Sequence, residues 1–197
     1  MRIHAAALLL CLAACSPETA DASDSVRAAN ESTPPAAAPR PAASPLSVPP
    51  GAPAADVLTL QGLGALRIGE AVSAYSGWAE RGAQISDLCR TVSSPDFPGV
   101  YAIVEGDRVR RITVGERSDV KLAEGIGIGS TEAEVRAAFP RFRDDPHVYV
   151  DPPAKYLTAP NAAGGGPALR FEIGADGKVS LIHAGTMPVL GYVEGCA

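Results

Sequence analysis

The chain has 197 residues, 46% of them apolar, with a formal net charge of −5 and a sequence pI near 5.2. It is long enough for one sizeable hydrophobic core with further segments attached. No basic stretch is dense enough to track a phosphate backbone, so nucleic acid is excluded as an expected partner.

The first element is an apolar run. Residues 1–4 carry Arg2, and residues 5–14 (AAALLLCLAA) follow without a charge. Ten residues are too few to span a bilayer, which needs about 20. A basic start followed by a short apolar run is the pattern of a secretory signal. The run ends in Leu12-Ala13-Ala14-Cys15, then Ser16. This ending resembles the lipobox of bacterial lipoproteins. The resemblance implies a signal peptide over residues 1–14, cleavage before Cys15, and lipid on the Cys15 thiol, with the membrane as a partner through that anchor. Ser16 stands where such proteins carry Asp for inner-membrane retention. By the same resemblance the destination is the outer membrane, with the folded part facing the periplasm. The alternative is an ordinary secretory signal with Cys15 incidental.

Residues 16–56 change character. Ala and Pro make up about half of them, and no aromatic residue occurs. Such a segment buries too little apolar surface to offset its ordering entropy, so residues 15–56 read as the lipidated cysteine and a disordered tether. Fully extended at ~3.1 Å per residue, it would reach roughly 120 Å. Arg40 is the single basic residue among the prolines of residues 34–53 and no aromatic residue occurs there, which argues for a spacer rather than a docking segment.

Residues 57–197 read as the folded part. With Cys11 in the signal and Cys15 lipidated, the sequence leaves Cys89 and Cys196 as one pair. An exported pair is expected to form a disulfide, here closing a loop of over 100 residues and pinning the C-terminus. The alternative, two thiols serving as metal ligands or a nucleophile, lacks a second Cys or His near Cys89.

Two stretches open alike: Gly64-Ala65-Leu66-Arg67-Ile68-Gly69-Glu70-Ala71-Val72 and Gly125-Ile126-Gly127-Ile128-Gly129-Ser130-Thr131-Glu132-Ala133-Glu134-Val135. They divide the folded part into repeat one, about 60–122, and repeat two, about 123–197. Thr131 with Glu134 fits a capping box, and Pro140 stops the helix that follows. A weaker helix is expected around residues 70–81, interrupted by Ser76-Gly77. Hairpins are expected at residues 100–104 with 109–114, and at 168–173 with 179–184, each around Gly/Asp turns. A further strand pair is expected at 147–150 with 155–158, and a last strand at 189–194. The expected class is α+β: two similar helix-plus-antiparallel-meander units, with helices on one face of the sheet. The motif "Ile-Gly, then Ser/Thr-x-x-Glu-Val, then antiparallel strands", best matched at residues 126–139, resembles the unit shared by two families. These are the small lipoprotein of the outer-membrane β-barrel assembly machine and the secreted β-lactamase inhibitor proteins. The first copy lacks the helix valine, and the inhibitors carry a disulfide within each repeat, so the resemblance bears on fold more than on function.

Chemistry is sparse. Gly125-x-Gly127-x-Gly129 lacks phosphate-loop spacing and a lysine, and reads as a structural turn. No G-x-S-x-G occurs. His147, with Asp144, Asp145 and Asp151 near it in sequence, offers imidazole and oxygen ligands. It lacks H-x-x-x-H or EF-hand spacing, so a solvated acidic loop is the simpler reading, and no metal or cofactor is expected. His183 sits in an alternating strand and reads as structural or surface. Trp78, Tyr101 and Phe171 read as core. Arg108 and Arg110 share a strand face, either as a charged solvent face or as an anchor for a partner. Tyr149 and Tyr156 bracket a proline turn, either as core or as a binding edge. Candidate partner-binding residues are therefore Tyr149, Tyr156, Arg108 and Arg110, and no catalytic residue is assigned. The function expected is non-catalytic binding of an envelope protein, as a periplasmic inhibitor or an envelope-assembly accessory. The alternative is a module for a small ligand or glycan.

Overall fold

The computed structural model describes residues 56–196. The signal peptide, Cys15 and nearly all of the tether lie outside the described residues. In chain order the strands are β1 (Val57–Leu58), β2 (Gly62–Leu63), β3 (Leu66–Arg67), β4 (Ala79–Glu80), β5 (Cys89–Ser93), β6 (Val100–Glu105), β7 (Arg108–Val114) and β8 (Lys121–Leu122). Helix α1 (Glu132–Ala138) follows, then β9 (Arg143–Pro146), β10 (Lys155–Thr158), β11 (Ala168–Ile173) and β12 (Val179–Gly185). Among the described residues no helix is long and apolar enough to cross a membrane.

Eight strands form one antiparallel sheet in the order β4-β5-β6-β7-β12-β11-β10-β9. Two four-strand meanders thus meet at the β7–β12 pairing, where Ile182 lies opposite Val114. The α+β expectation is corrected: the domain is mostly β, with α1 the single α-helix among the described residues. The reason is local. Gly69 and Glu70 bond across to Val109 as Gly129 and Ser130 bond across to Val179. Both glycines need a left-handed φ, +87° and +81°. Counting onward puts Ala71 at the place of Thr131 and Ala74 at that of Glu134. Thr131 and Glu134 form a complete capping box; two alanines leave the corresponding amide groups without one. Gly77 then turns left-handed, and residues 70–78 pass as turns.

The strands keep the same equivalence. Val92 faces Ala102 and Glu80 across its two neighbours, as Leu157 faces Phe171 and Asp144. Both inner hairpins carry a bulge at the matching place, at Ile103/Val104 and at Glu172/Ile173. The β6–β7 turn uses Gly106 and Asp107, both at φ +59°, the two-residue turn whose twist suits a hairpin. Two further strand expectations differ. The partner of β10 is Arg143–Pro146, not residues 147–150, because the loop begins where His147 turns inward. Residues 189–191 form a 3-10 turn rather than a strand.

One sheet face holds the main core, with Val104, Ile112, Phe171 and Ile182 fully or nearly buried beneath α1 and the segments around β1–β3 and β8. Burial at ~25 cal/mol per Å2 is what holds this layer. The opposite face is crossed by the C-terminal segment, residues 186–196. It is fastened by the Cys89–Cys196 disulfide, whose Cα atoms lie 5.5 Å apart. Buried Arg111 donates to the carbonyls of Val189 (3.1 Å) and Tyr192 (2.5 Å) in that segment.

Candidate functional site

Period-two alternation sends Arg170 and Glu172 of β11, His183 of β12 and Thr113 of β7 to the face opposite α1. There Glu172 is shared by two imidazoles. Its Oε1 lies 3.1 Å from His183 Nε2 and its Oε2 lies 3.5 Å from His147 Nε2. His183 Nδ1 lies 2.9 Å from the Thr113 hydroxyl. Neutral imidazoles protonated at Nε2 satisfy all of these contacts, with Thr113 donating to His183. Burial pushes the Glu172 carboxyl up. The hydrogen bonds from His183 and His147, with their charge whenever they are protonated, outweigh it and hold Glu172 below the usual range. Burial holds His183 below its ordinary value, against the raising effect of Glu172. Thr113, His183 and Glu172 line up as hydroxyl, imidazole and carboxylate. Because Thr113 and His183 are both buried, this line-up anchors the sheet face rather than presenting a nucleophile.

The network's outer member shapes a surface. His147 stacks on Tyr156 with ring centroids 4.7 Å apart, and Arg170 covers the Tyr156 ring at 4.0 Å. The Nδ1 atom of His147 accepts from the backbone N–H of Tyr149 (3.1 Å) and of Val150 (3.2 Å). The loop is thereby fixed at its root while its tip points outward: Val148 is 60% exposed, Tyr149 62% and Val150 41%. The Tyr149 hydroxyl donates to Glu194 of the C-terminal segment. An open cleft of about 340 Å3 lies between them, lined by Tyr149 and by Tyr192, Val193, Glu194 and Gly195. The result is a fixed apolar tip beside a strap that the disulfide holds down.

The structure separates the two tyrosines. Tyr149 is on the surface, whereas Tyr156 is 2% exposed and its hydroxyl has no hydrogen-bond partner among the described residues. Arg108 donates to the Gly69 carbonyl (2.8 Å) and Arg110 to the Glu105 carbonyl (3.2 Å), so both brace the fold near the β6–β7 turn. Asp144 pairs with Arg136 (2.7 Å) and Lys155 (3.4 Å), and Asp145 accepts from Thr158 (2.8 Å). Among the described residues no group of three His, Cys, Asp or Glu side chains is placed to hold a metal. Sequence reading missed Glu172 and the flanking Val148 and Val150. Glu172 was legible from its alternation with the apolar Phe171 and Ile173; the two valines were hidden by assigning them to a strand.

No family model, curated protein or solved structure matches this chain. What the domain does therefore rests on its own geometry.

Proposed function

We propose that this chain is a membrane-anchored envelope lipoprotein whose folded domain binds another protein without catalysis. The observation that supports the reading best is the tip Val148-Tyr149-Val150, an exposed apolar tripeptide held rigid from beneath by His147. A fixed aromatic anchor loses little conformational entropy on binding, which is the usual make-up of an interface hot spot. The Cys89–Cys196 disulfide accords with an oxidising, exported location. The Cys15 anchor and the long Ala/Pro tether accord with a domain that searches the space above a membrane. Within the reading, inhibitor and assembly accessory differ only in the partner's identity.

The test places a photoreactive residue at Val148 in the full-length protein in intact cells. One protein should crosslink, and Tyr149→Ala with Val150→Ala should abolish the product while leaving the fold intact. Tyr156 is left untouched because it is buried. A crosslinking pattern unchanged by the double substitution refutes the loop as the binding surface. Incorporation of an alkyne-tagged fatty acid, lost in Cys15→Ala, checks the anchor separately.

A further inference from the structure

His147 is the root of the exposed tip, and its two ring nitrogens face opposite demands. Nδ1 accepts from the backbone N–H groups of Tyr149 (3.1 Å) and Val150 (3.2 Å), so it carries no proton in this arrangement. Nε2 lies 3.5 Å from Oε2 of Glu172, a carboxylate that stabilises an imidazole when it is charged. The ring is enclosed, with its side chain 10% exposed and stacked on Tyr156. The charged and titratable groups around it come from several elements. Arg170 of β11 lies over the Tyr156 ring at 4.0 Å. His183 of β12 occupies the other oxygen of Glu172 at 3.1 Å. Asp145 of β9 is turned to the Thr158 hydroxyl (2.8 Å), and Glu194 of the C-terminal segment takes the Tyr149 hydroxyl. Glu172 thus favours a charge on His147, while enclosure and Arg170 oppose it. Burial holds His183 below its ordinary value, so it goes on donating to Oε1 and leaves Oε2 to His147. A proton on Nδ1 turns the acceptor into a donor, and two backbone N–H groups then face a third N–H. Both nitrogens of an imidazolium are donors, so no rotation of the ring restores the lost acceptor.

We propose that His147 is a pH-operated catch on the tip: neutral, it fixes Val148-Tyr149-Val150 in one shape, and protonated at Nδ1 it lets them go. The proposal rests on the reading of the tip as the binding surface and adds how binding there is regulated. Imidazole is the side chain whose charge ordinarily changes between about pH 5 and 8, so mild acid operates the catch and a return to neutral resets it. One proton moves from solvent to Nδ1, and no covalent bond of the chain changes. With the catch open, the Tyr149 hydroxyl still donates to Glu194, so the tip loosens without leaving the C-terminal segment. A loosened tip has to be ordered by its partner, and that ordering entropy weakens binding.

The test is nitrogen NMR of the isotope-labelled full-length protein in mild detergent, taken from about pH 8 to about pH 5. The imidazole nitrogen shifts of His147 report its protonation directly. Amide exchange, corrected for its intrinsic pH dependence, reports the protection of Tyr149 and Val150. The two amides should lose at least about tenfold in protection together, through the same range in which His147 gains its proton, and recover it on return. In His147→Asn the side-chain oxygen accepts from the same amides and takes up no proton, so protection should stay level. The unaltered protein decides the matter even where that variant folds poorly. His147 gaining its proton with both amides still protected overturns the proposal. Protection lost while His147 is neutral overturns it, and so does a His147 that stays neutral throughout. In intact cells the photocrosslink from Val148 should fall about tenfold over the same range and stay level in His147→Asn. An equal yield at both ends, with the amides opening, overturns the regulation of binding. No product at any pH, with the amides opening in step with His147, sinks the binding reading and leaves the catch standing.

Discussion

Replacing both Cys89 and Cys196 with alanine removes a crosslink between residues 107 apart in sequence. Loop-closure entropy for a loop of that length stabilises the folded chain by about 4.8 kcal/mol. Compactness in the unfolded chain lowers the measured figure, so a loss of roughly 3–5 kcal/mol is expected, or about 10–20 °C in Tm for a domain of this size. Both cysteines are replaced because one free thiol would dimerise. The assay is urea unfolding followed by the emission of Trp78, with amide exchange of residues 189–192 measured beside it. Arg111 still holds the strap through the Val189 and Tyr192 carbonyls. Exchange near Leu190, whose N–H bonds Thr186 (2.9 Å), should therefore rise only in step with the loss of global stability. A loss under about 1 kcal/mol refutes the entropic account. Exchange far faster than global unfolding refutes the role given to Arg111.

His147→Ala removes two backbone hydrogen bonds and a ring stack, each worth about 0.5–1.5 kcal/mol. It should cost roughly 2–3 kcal/mol and unprotect the amides of Tyr149 and Val150 first; unchanged exchange there sinks the idea of a loop held from beneath. Acid should destabilise the domain in two stages. His183 is held below its ordinary value of 6.5 when folded, so its contribution is complete above that pH and is lost as the pH falls through the folded value. Glu172, Glu132, Glu134 and Asp144, all held below their ordinary values, add their loss below about 4.5. Unfolding free energy measured against pH should fall between about 6.5 and 4.5, and less steeply in His183→Gln; a flat profile there contradicts the burial argument.

How much of this was legible in the sequence depended on how local the controlling interactions are. The hairpins at Val100–Val114 and Ala168–Gly185 were readable because Gly106-Asp107 and the Gly174–Gly177 stretch write turn geometry into adjacent residues. The α1 boundaries followed from Thr131 and Pro140 for the same reason. The first half misled because its apolar spacing suggests a helix while its capping residues do not, and the caps decide at this length. The disulfide followed from counting. Tyr156 was not assignable from sequence, since its burial depends on Arg170 and His147 reaching it from a neighbouring strand and a loop. The same holds for the sharing of Glu172 between two histidines 36 residues apart in sequence: alternation marks the face, but pairing order decides which residues meet there.

The divergence between the halves shows which positions the shared strand register leaves free. A repeat that keeps its strand register, its bulges and its left-handed glycines is under a common folding constraint, since a one-residue slip would turn each strand's core residues outward. Features that break the match are free of that constraint. Val135 is fully buried, whereas Tyr75, at the matching count, is 99% exposed. The small Ala102 stands where Phe171 fills the core, and Trp78 stacked on Phe97 at 5.7 Å occupies part of the space left. Glu80 and Arg90, at the positions of Asp144 and Lys155, pair with each other instead of with a helix. A half that keeps the strand register but caps no helix therefore covers its core face by other means, with residues 71–78 and the Trp78–Phe97 stack burying Val92 and Val104.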